Sequence, residues 1–108
     1  MIKMRILLFM IFLLTSFCKL AFSDENSDEQ QIILMGDIEY GQYLGAECAS
    51  CHQQTGANEG IPAINGIDAE VFVALMLAYR SKEMENPVMQ MIAGRLDDEQ
   101  IGSLALYF

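Results

Sequence analysis

The sequence predicts a small all-α domain of three to four helices. Three observations carry this. Asp37, Asp68 and Asp97 each stand where an apolar stripe of helical period begins, the place at which a short acidic side chain caps the first N–H groups of a helix. The stretches between those stripes are rich in glycine, proline and asparagine, which interrupt regular structure. No run alternates apolar and polar residues convincingly in the manner of a strand.

The chain opens with Lys3 and Arg5, then an almost unbroken apolar run from Ile6 to Phe17, then the small-x-small triplet Ala21-Phe22-Ser23. This order predicts a secretory signal over residues 1–23, and with it an exported, periplasmic protein. The run is shorter than the roughly 20 apolar residues that span a bilayer. Cleavage after Ser23 removes Cys18 together with Lys3, Arg5 and Lys19 and no acid. The formal charge, −9 for the whole chain, therefore becomes three units more negative. Such a surface disfavours nucleic acid and anionic membranes. It suits a basic protein partner, or simply solubility.

Asp24 to Gln31 is acidic and polar without apolar periodicity. Residues 24–35 are expected to form a flexible N-terminal arm, with Ile32 to Met35 an apolar patch covering the start of a domain over 36–108. The first helix is expected from Asp37 to Cys51, with Ile38, Tyr40, Leu44 and Cys48 in its stripe. Gly41 and Gly45 each weaken it by about 1 kcal/mol relative to alanine, a cost that close contact with another helix would explain. His52 to Ile67 reads as loop. Asp68 then caps a helix through Arg80, with Phe72, Leu75, Met76 and Tyr79 at i, i+3, i+4 and i+7 as a core face, one side of which can also touch a group bound in the core. Ser81 to Leu96 reads as a second loop holding Pro87, Met84, Met89 and Met91. Asp97, with Gln100 three residues on, forms a capping-box pattern for the last helix. Asp98 and Glu99 suit the positive end of its dipole, and Ile101, Leu104, Ala105 and Phe108 form its stripe.

The chemistry lies in Cys48-Ala49-Ser50-Cys51-His52. On a helix Cys48 and Cys51, and Cys48 and His52, stand three and four apart, so all three share one face. Two thiols so placed can add to the two vinyl groups of one porphyrin, and the imidazole that follows can ligate its iron. C-x-x-C-H is the attachment signature of haem c. A thioredoxin-like redox pair would need a βαβ setting, and a zinc site a second ligand pair, yet no Cys or His follows His52. One covalent haem would also staple a domain too small to bury much apolar surface.

His52 is the only histidine among the 108 residues, so two histidines from this chain cannot hold the iron. Methionine can close the sixth position and raise the reduction potential. Of the eight methionines, Met84, Met89 and Met91 lie in the second loop. Met89 is the first choice, because Pro87 stiffens the backbone leading to it, and Met91 the second.

These stretches resemble the class I c-type cytochromes. The matching residues are Gly41-Gln42-Tyr43-Leu44 before the Cys48–His52 motif, then Gly60-Ile61-Pro62, Asn86-Pro87-Val88-Met89-Gln90, Leu96 to Ile101, and Leu104 to Phe108. An Asp97 cap, where serine is usual, is a departure. The resemblance implies a small cytochrome c fold wrapped around one haem. It makes Cys48 and Cys51 the thioether positions, His52 the proximal ligand, and Pro62 the residue whose carbonyl orients that histidine. The family's ligand methionine stands about eight residues before the last cap, which Met89 satisfies and Met91 does not. The first and last helices would cross closely, setting Gly41 or Gly45 against Leu104 and Tyr107. Within the class, Gly60 to Gly66 and Asn86 to Gln90 look most like the cytochrome subunit of sulfide dehydrogenase (flavocytochrome c). That likeness implies a non-catalytic electron carrier accepting electrons from a flavoprotein sulfide dehydrogenase. The alternatives are a stand-alone soluble cytochrome c serving an oxidase or reductase, and a haem sensor or small-ligand-binding protein whose sixth position opens.

Overall fold

The computed structural model describes residues 1, 2, 4, 25–55 and 60–108. Most of the signal segment expected over 1–23 lies outside the described residues. From residue 25 onward the described chain forms five α-helices and no strand. They are α1 (Glu25–Met35), α2 (Ile38–Cys51), α3 (Ala69–Arg80), α4 (Pro87–Ala93) and α5 (Asp98–Tyr107).

The three aspartates cap as expected. Asp37 Oδ1 accepts the N–H of Tyr40 at 2.8 Å. Asp68 Oδ1 accepts from Glu70 at 3.0 Å and Val71 at 3.3 Å. Asp97 and Gln100 form the full reciprocal capping box at 2.8 and 3.0 Å. The box is also tied outward, because Gln100 Nε2 donates to the hydroxyl of Tyr40 on α2 at 3.1 Å.

Helices α2 and α5 cross closely. A Cβ at Gly41 would collide with the carbonyl of Ser103, and one at Gly45 would lie 2.7 Å from the ring of Tyr107 and 3.2 Å from that of Phe108. The glycines thus let two backbones approach where side chains would hold them apart. Tyr107 stands where the resemblance implies. Ser103 and Phe108, rather than Leu104, are its companions at the crossing. Leu104 turns inward and joins Ile32, Phe72, Val73, Met76, Ala93, Ile101 and Ala105 in the core.

Two elements depart from the sequence expectation. The acidic arm is helix α1. It packs on α5 and α3, buries Ile32, and bonds across to α3 through Gln30 Nε2 and Glu70 Oε1 at 2.9 Å. Gly102 makes room for it, since a Cβ there would strike the carbonyl of Ile32. Burial of one isoleucine is worth about 1.5–3 kcal/mol, which anchors a helix that its own polar sequence would not hold. The second departure is α4, a short helix inside the stretch read as loop. Asn86 caps it and Pro87 occupies its first position, where a missing N–H costs nothing. The described residues therefore contain five helices rather than three or four.

Arg80 joins the ends of the segment that carries α4. Its guanidinium donates to the carbonyl of Leu96 at 3.3 Å and to Asp98 at 2.7 Å. Helix α3 ends in a Schellman turn, with Glu83 N–H on the carbonyl of Ala78 at 2.9 Å and Lys82 N–H on that of Tyr79 at 3.1 Å. Lys82 takes the left-handed conformation at φ 67°, where glycine is usual.

Candidate functional site

A cavity of about 470 Å³ opens between the helices, within the range of small-molecule and cofactor sites. Helix α2 brings Leu44, Glu47, Cys48 and Cys51 to it, and His52 follows at the helix end. The loop after α2 contributes Gly60, Ile61 and Pro62. Helix α3 contributes Phe72, Leu75, Met76 and Tyr79, and Leu104 comes from α5. Asn86, Val88, Met89 and Ile92 reach it from α4 and its cap. The α3 stripe, expected to be core with one side open to a bound group, lines the cavity with all four residues, Phe72, Leu75, Met76 and Tyr79. Phe72 and Met76 are buried as well.

The candidate ligands fall as follows. Cys48, Cys51, His52, Pro62 and Met89 all line this one cavity. Met91 does not, and is 57% exposed on the other side of α4. Met84 is also exposed. The helical spacing that sets Cys48, Cys51 and His52 on one face continues to the helix end, where the N–H of His52 donates to the carbonyl of Cys48 at 2.8 Å.

The imidazole is oriented by the loop. His52 Nδ1 lies 2.7 Å from the carbonyl oxygen of Pro62. A carbonyl can only accept, so this pairing makes Nδ1 the protonated nitrogen and leaves Nε2 with a lone pair. That is the tautomer a metal-binding histidine needs. No disulfide joins the two cysteines. Burial pushes the Cys48 thiol up from its ordinary range, and the adjacent Glu47 carboxylate adds to the shift, so the sulfur stays a neutral thiol.

The residues lining the cavity have the chemistry that holding a porphyrin would require. Among the described residues, no group of three or more His, Cys, Asp or Glu side chains is placed to hold a metal ion alone. The walls are instead mostly aliphatic and aromatic, with two thiols (Cys48, Cys51), one imidazole (His52) and two thioethers (Met76, Met89) among them. A flat apolar macrocycle with a central metal is satisfied by that combination.

Fold and site together define an all-α domain built around an apolar cavity that carries thiol, imidazole and thioether donors. The chain is 32% identical over 89 residues to a protein of Stutzerimonas stutzeri (strain A1501) described as a thiosulfate dehydrogenase electron acceptor. The matched region is 80% of this chain and 40% of that protein, so the chain spans less than half the length of the relative. No family model matches the chain.

Proposed function

We propose that this protein is an exported electron carrier holding one covalent haem c, with His52 and Met89 as axial ligands. The observation that carries the reading is the gathering of Cys48, Cys51, His52 and Met89 about one apolar cavity. The similarity to an electron acceptor adds support. In this reading Cys48 and Cys51 are the residues that would hold the porphyrin, each by one thioether bond. When bound, the group supplies a one-electron change at its iron. The chain's residues fit it for that task. Pro62 holds the His52 proton at Nδ1, so Nε2 is presented to the metal. Met89 would supply a second protein ligand from α4, which would leave no place for substrate. Phe72, Leu75, Met76 and Leu104 exclude water, which favours the less charged reduced state.

The chain is accordingly a carrier and not an enzyme, and its electrons come from a dehydrogenase. The relative's name points to oxidation of thiosulfate, and the resemblance of two loops points to a flavoprotein that oxidises sulfide. Isolation of the native protein tests the second by what accompanies it: a flavoprotein partner brings flavin, and a carrier acting alone emerges without it. The central test is a haem stain after denaturing electrophoresis, where thioether-bound haem stays with the chain. Cys48→Ser with Cys51→Ser should lose the stain. A mature chain with the mass of bare polypeptide rejects the reading.

A further inference from the structure

The seven residues of α4 are too few for a helix to stand by its own propensity, yet α4 carries Met89. What holds its first turn is Asn86. The Asn86 backbone is extended, with φ −169° and ψ 105°, and its Oδ1 accepts the N–H of Met89 at 3.0 Å. Pro87 offers no N–H, so this bond secures the very residue whose side chain reaches the cavity. A second tie follows directly, where Gln90 Nε2 donates to the carbonyl of Met84 at 2.8 Å and draws the helix back onto the segment that leads into it. Asn86 itself lines the cavity rim.

We infer that Asn86 is a positioning residue, whose hydrogen bond to the Met89 backbone keeps that thioether at the cavity and so sets how readily an external ligand displaces it. This rests on the haem reading above. The physical argument is a competition. An external ligand can take the sixth position only when Met89 leaves, and Met89 leaves more easily if the first turn of α4 frays. Stability lost by the Met89-in state therefore appears as apparent affinity gained by the competitor. An N-cap lost to alanine is a well-defined local loss, and serine at the same place restores the acceptor.

The test uses the ferric holoprotein and imidazole as the competing ligand, followed by the Soret shift and by loss of the thioether-to-iron charge-transfer band. Asn86→Ala is expected to bind imidazole about tenfold more tightly than wild type, equivalent to ~1.4 kcal/mol. Asn86→Ser is expected within about threefold of wild type. Thermal unfolding of the imidazole-saturated forms is measured beside it. A purely structural role would lower that melting temperature in Asn86→Ala without moving the imidazole affinity, and this result overturns the inference. So does an Asn86→Ser protein that shifts as far as Asn86→Ala. A wild-type chain without covalent haem overturns the parent reading and this one with it. Wild type with haem and unchanged imidazole affinity in Asn86→Ala overturns this one alone.

Discussion

The hydroxyl of Ser103 accepts the backbone N–H of Asp37 at 2.9 Å and gives its own proton to the carbonyl of Glu99 at 2.7 Å. Ser103 has no exposure to solvent, and it links the first residue of the α2 cap to the middle of α5. Ser103→Ala leaves a part-buried N–H without a partner. The loss should be about 1–3 kcal/mol, read as a lower denaturation midpoint at unchanged denaturant slope.

Glycines at the same crossing should differ in their tolerance. At Gly41 a methyl group meets the Ser103 carbonyl, which is backbone and cannot yield without moving α5. At Gly45 it meets a Tyr107 ring, which can turn. Alanine gains about 1 kcal/mol in helix propensity at either place, and overpacking costs about 1–3 kcal/mol or more. Gly41→Ala should therefore destabilise clearly, and Gly45→Ala should lie near neutral. Equal melting temperatures for the two variants would contradict the geometry.

Lys82 provides a prediction of the opposite sign. A lysine in the left-handed region is strained by about 1–2 kcal/mol, and its place in the Schellman turn is one that glycine fills. Part of the gain is returned as extra freedom in the unfolded chain. Lys82→Gly should stabilise by about 0.5–1 kcal/mol, seen as a higher melting temperature. A drop would mean that the lysine side chain contributes something its conformation does not reveal.

The two methionines of α4 can be separated by spectroscopy of the haem-loaded protein. Met89→Ala should abolish the thioether-to-iron charge-transfer band, lower the reduction potential and open the iron to small ligands. Met91→Ala, which removes an exposed side chain, should leave all three unchanged, with stability altered by no more than about 0.5 kcal/mol. The reverse pattern would transfer the ligand role to Met91.

The legible parts of this fold are those fixed over a few residues. Asp37, Asp68 and Asp97 act on N–H groups two or three positions away, so a cap and the stripe behind it could be recognised in the chain itself. Helix α1 could not be, because what holds it is distant: Ile32 fits against Gly102, and Gln30 reaches Glu70. Its own residues show an acidic stretch ending in an apolar patch, without helical periodicity. Helix α4 was marked by Asn86 followed by Pro87, a start signal that its small length and two nearby glycine or proline positions obscured. The site divides in the same way. Cys48, Cys51 and His52 are neighbours in sequence. Pro62 and Met89 reach the cavity only through the folding of two separate segments; resemblance singled out Pro62, whereas Met89 was marked by Pro87 before it. How much of the α3 stripe faces the cavity could not be read from the sequence, because apolar residues toward a cofactor and toward a core follow one period.

The crossing of α2 and α5 brings two elements far apart in sequence together, with α3 and α4 lying between them along the chain. Arg80 in turn latches Leu96 and Asp98. The stretch carrying α4 is thus held at both ends by Arg80, and should open locally before the crossing does. Deuterium should consequently enter its amides by a shallow excursion, while those of Ile101 to Ala105 wait for complete unfolding.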